Sequence, residues 1–346
     1  MIYRSTLAAC SLAVLTLAAA PSQGANLTLT AWEREGSEVF DIYVRTFVEL
    51  ASEFSGGELQ VTPYGAGVIA GVFDGHAAVN DGLADMNFGW AGYIVNQHAG
   101  NAYFGALPGG MGPEALYHWT YNGGGKELLT EFRRAVDGQH AVACGMLGSE
   151  VFAHSHRSIQ TLADFEGLRH RTAGAFVDVI QALGATPTVI PGPDVFPALE
   201  RQAIDSAEYL TPYLNAQVGF HNVAEYVILP GIHTPAAVYE LSMTTATWEG
   251  LSEQSQRAIE LACEIVTSRS YTYLGDRDMK TVQELEAGRN QIVVLDDEVI
   301  KRIREEGRSW IDAKGAETSS DDWIERIGEA YFTYQDQWLA SYNRVQ

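Results

Sequence analysis

Short apolar runs alternate with longer amphipathic stretches along the first half of the chain. Three of these runs have the length and composition of β-strands: "LTLTAWE" (27–33), "LQVTPYG" (59–65) and "DMNFGWA" (85–91). Between the first two, apolar residues recur at intervals of three and four, which defines one buried helix face: Phe40, Tyr43, Phe47, Leu50 and Ala51. This order predicts β-α-β units on a parallel sheet.

A second set of elements follows the strand "QHAVACGML" (139–147), so we place a crossing between two lobes near Leu147. The set reads as strand "LRHRTAG", helix "AFVDVIQALGA", strand "TPTVI", helix "DVFPALERQAI" and strand "DSAEYLTP". The segment "LPGIHTPAAVYELSM" (229–243) then reads as a strand that returns to the first lobe. Two crossings predict a hinge between the lobes.

The remainder of the chain is mainly helical in pattern. A long helix is predicted from Ser252 to Ala287. Beyond Ser319, aromatic and apolar residues recur at helical spacing: Trp323, Ile327, Ala330, Tyr331, Tyr334, Trp338 and Tyr342. We expect this stripe to pack on the protein's own body. A homodimer contact through the C-terminal helix is the alternative.

These patterns predict an α/β fold of two lobes, each a mainly parallel sheet flanked by helices, with a long lobe-spanning helix and C-terminal helices. The predicted first lobe comprises residues 26–148 and 237–276. Residues 149–236 and 277–346 form the second lobe and the C-terminal helices. Residues 1–25 are set apart as a cleaved signal peptide, because Arg4 precedes the apolar run "LAACSLAVLTLAAA". We therefore expect a protein exported from the cytoplasm.

The chain is strongly acidic, with 44 Asp and Glu residues against 22 Lys and Arg residues and a formal net charge of −22. Such a charge argues against nucleic acid as a partner. It also means that an anionic ligand needs a locally positive site. Beyond the signal segment the cysteines are Cys144 and Cys263. We expect two buried thiols, with their pairing as the open alternative.

Catalytic signatures are missing from the sequence. It contains no G-x-S-x-G nucleophile elbow, no H-E-x-x-H zinc helix and no G-x-G-x-x-G loop. His154 and His156 lie two residues apart in "AHSHRS", but no third metal ligand is near, so we expect a surface pair.

Two arginines lie two residues apart in "FEGLRHRTAG" (165–174). In a strand, Arg169 and Arg171 face one side and His170 faces the other, into the sheet packing. Arg171 would lie at the carboxyl end of the strand, where open α/β sheets bind ligands. Its planar guanidinium pairs with a carboxylate through two hydrogen bonds. For Arg169 we expect a surface salt bridge with Asp164, Glu166 or another acid.

A family resemblance rests on "LADFEGLRHRTAG" (162–174) and "PDVFPALERQAIDSAE" (193–208). Both segments, and the order of elements along nearly the whole chain, resemble the DctP-type solute-binding proteins of TRAP transporters, the tripartite ATP-independent periplasmic systems. The resemblance implies a two-lobed periplasmic binding protein fold, a periplasmic location, TRAP membrane subunits as partners and no enzymatic activity. It also implies that Arg171 clamps a ligand carboxylate. Ala203 and Ala207 depart from the family's G-x-x-D-G turn.

The residues after this turn, Ala207-Glu208-Tyr209-Leu210, are similar to the 2-oxoacid and lactate-binding branch, in which a metal ion bridges ligand and protein. That resemblance implies metal ligands from Glu150, Glu208 and Tyr209. Two glutamates, one arginine and one ligand carboxylate leave a net charge of −2, which a closed site opposes. Ca²⁺ balances this charge with oxygen ligands. Na⁺ is the alternative.

Aromatic residues that follow predicted strand ends are candidates for the cavity wall of the first lobe. We select Trp90, Tyr93 and Tyr103 as ligand contacts and assign Phe88 to core packing. The expected ligand is a small organic anion, a 2-oxo or 2-hydroxy monocarboxylic acid, captured by closure of the lobes. Two alternatives stay open: metal-free binding of a zwitterionic or cationic carboxylate, and a secreted hydrolase that uses Glu150 and Glu208 as an acid/base pair.

Overall fold

The computed structural model describes residues 24–318 and 321–342. The predicted signal peptide therefore lies outside the described residues, apart from Gly24 and Ala25. Two β-sheets organise the described chain, and we call the parts built on them the first and the second lobe. The eleven strands described are β1 (Ala25–Ala31), β2 (Leu59–Tyr64), β3 (Met86–Trp90), β4 (Gln139–Leu147), β5 (Ala153–Ser155), β6 (Arg169–Arg171), β7 (Thr186–Thr188), β8 (Ser206–Ala207), β9 (Tyr226–Leu229), β10 (Ala237–Thr244) and β11 (Gln291–Val294).

The strand order is β2-β1-β3-β10-β4 in the first lobe and β11-β9-β5-β8-β6-β7 in the second. Both sheets are mixed, whereas the sequence predicts mainly parallel ones. The parallel pairs are β1 with β2 and β3, β6 with β7 and β8, and β9 with β11. The antiparallel pairs involve β10, which returns from the second lobe to lie between β3 and β4, and β5, which enters the second lobe and lies between β8 and β9. The antiparallel pairs therefore arise where the chain passes from one lobe to the other.

Helices cover both sheets, as the amphipathic spacing predicts. The α-helices described are α1 (Glu38–Phe40), α2 (Thr46–Phe54), α3 (Gly75–Asn80), α4 (Ala102–Gly105), α5 (Pro113–Asn122), α6 (Gly125–Val136), α7 (Phe176–Ala182), α8 (Val195–Glu200), α9 (Pro212–Val218), α10 (Phe220–Val223), α11 (Thr245–Gly250), α12 (Glu253–Ala287), α13 (Asp297–Glu317) and α14 (Trp323–Ser341). A π-helical segment, Asp41–Arg45, joins α1 to α2. This two-lobed α/β architecture, with its long helix and C-terminal helices, confirms the predicted fold class.

Helix α12 ties the two lobes together. It has 35 residues, which corresponds to about 50 Å at 1.5 Å per residue. It packs on β4 and α2 of the first lobe and on α9 and β11 of the second. Its Cys263 forms a disulfide with Cys144 of β4, and their Cα atoms lie 4.1 Å apart. The expectation of two free thiols is therefore wrong: packing of α12 on β4 brings together two cysteines separated by 119 residues.

The C-terminal aromatic stripe packs on the protein's own first lobe. Ile327 and Tyr331 of α14 are buried, and the Tyr331 hydroxyl accepts a hydrogen bond from the Met111 amide. The helix also contacts α4, α5 and α6. Leu339 at its outer end is exposed. Among the residues described, no helix combines the length and apolar composition needed to cross a bilayer.

A network of charged side chains is buried under the first sheet. Glu240 of β10 accepts hydrogen bonds at both carboxylate oxygens from the Arg133 Nε, over 2.9 and 3.1 Å, and it also contacts the His76 ring. Arg133 donates further to Asp137 over 2.9 Å. Burial alone would raise the pKa of Glu240, but Arg133 and His76 lower it to about 2. This carboxylate is therefore held ionised by its protein partners.

Candidate functional site

A small cavity of about 20 Å³ lies between the two sheets, which is on the scale of a single water molecule. The described residues that line it are Trp32, Glu33, Trp90, Tyr93, Glu150, Arg171, Glu208, Tyr209, Leu210 and Tyr239. Three are acidic and one, Arg171, is basic. The cavity therefore combines a surplus of carboxylates with an aromatic wall.

The topology explains why these residues meet. Trp32 and Glu33 follow β1 directly, and Trp90 ends β3. Arg171 ends β6, and Glu208 follows β8. The carboxyl ends of parallel strands from both sheets thus face the same cleft, which is the common ligand position in open α/β sheets. Gly174, with a φ of +68°, allows the turn after β6 to approach the first lobe; a Cβ atom there would lie 3.4 Å from the Trp90 ring.

The Arg171 guanidinium is buried and held in a fixed plane. Its Nε and Nη2 donate to the Ile190 carbonyl over 3.0 and 2.7 Å. Its Nη1 donates to the backbone carbonyl and to the carboxylate of Glu208, both over 3.0 Å. These hydrogen bonds use four of the five N–H groups of an arginine. The side chain is therefore oriented before any ligand arrives.

The carboxylates of Glu150 and Glu208 lie close together beside this arginine. Glu208 also accepts a hydrogen bond from the Ala173 amide over 2.9 Å, and Glu150 lies 3.0 Å from the Nε2 of His233. One ligand atom from each of these three side chains lies within 4.8 Å of the others. Burial raises the pKa of both glutamates, well above its usual range for Glu150, and Arg171 offsets only part of this effect. Burial lowers the pKa of His233 to about 4, so the imidazole is neutral.

A hydrogen bond spans the cleft beside these groups. The Tyr209 hydroxyl, from the second lobe, donates to the Glu33 carboxylate of the first lobe over 2.7 Å. Burial raises the pKa of Glu33, and the Tyr209 hydrogen bond only partly counteracts this. On the same wall, the buried Trp90 Nε1 has no hydrogen-bond partner among the residues described. It is therefore an unpaired buried donor in this wall.

The structure brings six of the seven residues selected from the sequence to this cavity: Arg171, Glu150, Glu208, Tyr209, Trp90 and Tyr93. The seventh, Tyr103, lies elsewhere. Its hydroxyl donates to the Ile324 carbonyl, and its ring packs against Tyr331 of α14. The C-terminal helix covers this tyrosine, so it belongs to the core beneath that helix. Phe88 is fully buried, as its assignment to the core predicts.

Sequence reasoning missed four cavity residues, Trp32, Glu33, Leu210 and Tyr239, and also His233 behind Glu150. Trp32 and Glu33 carry the same signal as Arg171, because they follow a predicted strand at its carboxyl end. Tyr239 carries no such signal: it lies inside β10, and only the return crossing brings its ring to within 4.5 Å of Trp32.

The other polar candidates are placed apart from the cavity. Arg169 is exposed and pairs with Asp205 rather than with Asp164 or Glu166. His170 is buried, and its ring forms a hydrogen bond with the Ser206 hydroxyl over 2.8 Å.

The prediction that His154 is a surface residue is wrong: its strand, β5, lies between β8 and β9, and its ring packs on Phe220. His156 donates to the Leu199 carbonyl over 2.9 Å.

Comparison with known proteins identifies relatives of the whole two-lobed body. Residues 34–317 match the family model for bacterial extracellular solute-binding protein, family 7 (DctP). A monocarboxylate 2-oxoacid-binding periplasmic protein from Nostoc sp. is 24% identical over 307 residues, which cover 88% of this chain and 82% of the relative.

Solved structures of similar proteins share the fold. A TRAP transporter solute-binding protein from Bordetella bronchiseptica, a dimer with calcium and picolinate in its active site, matches with a TM-score of 0.85 and 21% identity over 93% of this chain and 96% of its own. A TRAP periplasmic solute-binding protein from Pseudoalteromonas atlantica, with bound sodium and pyruvate, matches with a TM-score of 0.84 and 24% identity over 92% and 95%.

Proposed function

Because the chain belongs to the DctP family of TRAP solute-binding proteins, which are non-enzymatic transport receptors, we propose that it captures a small 2-oxo or 2-hydroxy monocarboxylate by closure of its lobes. The observation that carries this proposal is the oriented guanidinium of Arg171 in a small aromatic cavity. The one basic side chain among the described lining residues is the natural partner for one carboxylate.

The small size of the cavity argues against a large ligand and favours one of a few carbon atoms. Large rings, Trp32, Trp90, Tyr93 and Tyr239, form its wall and leave little room in this closed arrangement. The free Trp90 Nε1 donor suits an oxygen acceptor on such a ligand, a carboxylate or a 2-oxo group. Burial of the ligand between two lobes favours the closed state by its differential contacts with that state.

The surplus of negative charge supports a bound cation. Glu33, Glu150 and Glu208 face one arginine, and a monocarboxylate adds a further negative charge. Oxygen ligands suit Ca²⁺, and at 2.3–2.6 Å per bond two such ligands lie up to about 5 Å apart across the ion. The ligand atoms of Glu150 and Glu208 meet this limit. We assign them to Ca²⁺, with the main chain of Tyr209 as a further ligand and Na⁺ as the alternative ion.

The relatives point the same way. The Nostoc protein is named for 2-oxoacid binding, and the two solved structures contain calcium with picolinate and sodium with pyruvate. We propose a periplasmic location and delivery to TRAP membrane subunits. Because the Bordetella structure is a dimer, we also propose that the exposed outer end of α14 pairs two copies of this chain. The hydrolase hypothesis is dropped, since the family consists of non-enzymatic receptors.

Isothermal titration calorimetry tests the proposal. Pyruvate and L-lactate are titrated into protein treated with EDTA, and then into the same protein with Ca²⁺ or Na⁺ restored. We expect tight binding that is lost on chelation and returns with Ca²⁺, because the cation removes the repulsion between the ligand and the cavity acids.

The variant Glu150→Gln replaces a charged cation ligand by a neutral amide oxygen, so we expect a weaker response to Ca²⁺ than in the wild type. The exposed variant Glu166→Gln serves as the matched control. Equal affinity with EDTA, without EDTA and in buffer free of Na⁺ would refute the bound cation and favour metal-free capture, whereas no binding of either acid would refute the ligand class.

A further inference from the structure

Glu33 is a buried acid that faces the cavity from the side opposite Arg171. It follows β1 in the first lobe, whereas Arg171 ends β6 in the second. Only 3% of Glu33 is exposed, and its carboxylate accepts the Tyr209 hydroxyl across the cleft over 2.7 Å. Its carboxylate therefore adds a negative charge to the first-lobe side of the cavity.

The charges of the cavity wall are distributed unevenly between the lobes. Arg171 supplies positive charge to the second-lobe wall. On the first-lobe wall the described residues are Trp32, Glu33, Trp90, Tyr93 and Tyr239, and none of these five is basic. A ligand carboxylate bound at Arg171 therefore has a favourable partner. A second carboxylate on the same ligand would meet Glu33 and uncharged rings.

We propose that Glu33 is a specificity-determining residue that restricts the ligand to a single carboxylate. The inference rests on the proposed function, and it adds the residue that rejects dicarboxylates. Juxtaposition of like charges is strongly unfavourable in a closed, dewatered site, and such repulsive elements are a common source of specificity. Tyr209 holds the Glu33 carboxylate in place at the cleft, so the rejecting charge is fixed when the lobes are closed.

The test compares two ligands that differ by one charge. L-Malate is L-lactate with a carboxylate on its methyl carbon, and 2-hydroxy-4-methylpentanoate has nearly the shape of malate with methyl groups in place of the second carboxylate oxygens. Dissociation constants of all three are measured by calorimetry, with Ca²⁺ present, for the wild type and for Glu33→Gln. Glutamine keeps an oxygen that accepts the Tyr209 hydroxyl but removes the charge.

We expect the wild type to bind lactate and to reject malate. In Glu33→Gln the ratio of the malate to the lactate dissociation constant should fall by about tenfold or more, because the like-charge repulsion is gone. The ratio of the 2-hydroxy-4-methylpentanoate to the lactate dissociation constant should not change, because this pair differs in size and not in charge. The exposed variant Glu35→Gln, two residues away, should leave every ratio unchanged.

A second variant separates the charge from the contact across the cleft. Tyr209→Phe keeps the Glu33 charge and removes its hydrogen bond, so lactate and malate should weaken by the same factor. An unchanged malate-to-lactate ratio in Glu33→Gln would overturn the role of Glu33. A ratio that shifts equally in Tyr209→Phe would also overturn it, by assigning selectivity to lobe closure. Failure of the wild type to bind lactate would instead refute the proposed function.

Discussion

The core of the first lobe contains one buried carboxylate, and nearby basic side chains balance its charge. The cavity contains three buried carboxylates, and one arginine faces all of them. Glu240 receives the Arg133 Nε at both oxygens and contacts His76. Glu33, Glu150 and Glu208 share Arg171. All four glutamates are at most 5% exposed, so burial alone does not distinguish them.

The two groups differ in the direction of their pKa shifts. The pKa of Glu240 falls to about 2, because Arg133 and His76 outweigh the effect of burial. The pKa values of the three cavity glutamates rise, because burial outweighs Arg171. A buried carboxylate that is balanced by basic side chains can stay ionised in the folded protein without a bound cation. An unmatched set requires a cation or protons, and such sites are candidates for function.

Glu240→Gln tests the structural side of this comparison and should give the largest effect on stability. It removes the fully buried counter-charge of the Arg133 guanidinium and leaves Asp137 as its remaining carboxylate partner, so we expect the free energy of unfolding to fall by about 3–5 kcal/mol. Chemical denaturation at neutral pH measures this change. The exposed variant Glu249→Gln is the control and should stay within about 0.5 kcal/mol of the wild type. A comparably small effect at Glu240 would show that its network is not stabilising.

Arg171→Ala tests the functional side. It removes the one basic side chain among the described lining residues, which we propose as the partner of the ligand carboxylate, so we expect a loss of about 2–5 kcal/mol in binding free energy. Calorimetric titration of pyruvate with Ca²⁺ present measures the loss, and circular dichroism checks that the variant is folded. Arg169→Ala, whose side chain is half exposed, should change the affinity by less than about 0.5 kcal/mol. Unchanged affinity in Arg171→Ala would remove this residue from the site.

Acid titration gives a somewhat smaller effect. The pKa of Glu240 is about 2 in the folded protein, against an ordinary value of 4.5 for a glutamate. Its contribution is therefore fully present above pH 4.5 and is lost as the pH falls toward 2. A shift of this size corresponds to about 3 kcal/mol. Urea denaturation across this pH range should show a loss that Glu240→Gln lacks; parallel curves for the two proteins would contradict the assignment.

Local patterns were sufficient for much of the fold. The spacing of apolar residues in β1, α2 and α12, and the position of Arg171 at the end of a strand, depend only on neighbouring residues. Two lobes, the long helix and the packing of α14 on the protein's own body followed from such patterns. Six of the seven selected cavity residues were found in the same way, with help from the family resemblance.

Contacts between distant segments were decided by the tertiary structure. The sheets became mixed because β5 and β10 pair with strands of the lobe they enter. Cys144 and Cys263 form a disulfide because α12 packs on β4. Tyr103 lies beneath α14 and not at the cavity, whereas Tyr239 lines the cavity because β10 returns to the first sheet.

The sequence by itself determined the helices, the strands, the acidic composition and the arginine at a strand end, because each depends on the local order of side chains. Only the tertiary structure added Glu33 to the acids around that arginine and showed that Glu240 is neutralised elsewhere. Glu240 and Glu33 are indistinguishable in type, and both come from strands of the first sheet or their ends. Their roles diverge because one lies against Arg133, while the other faces the cleft between the lobes.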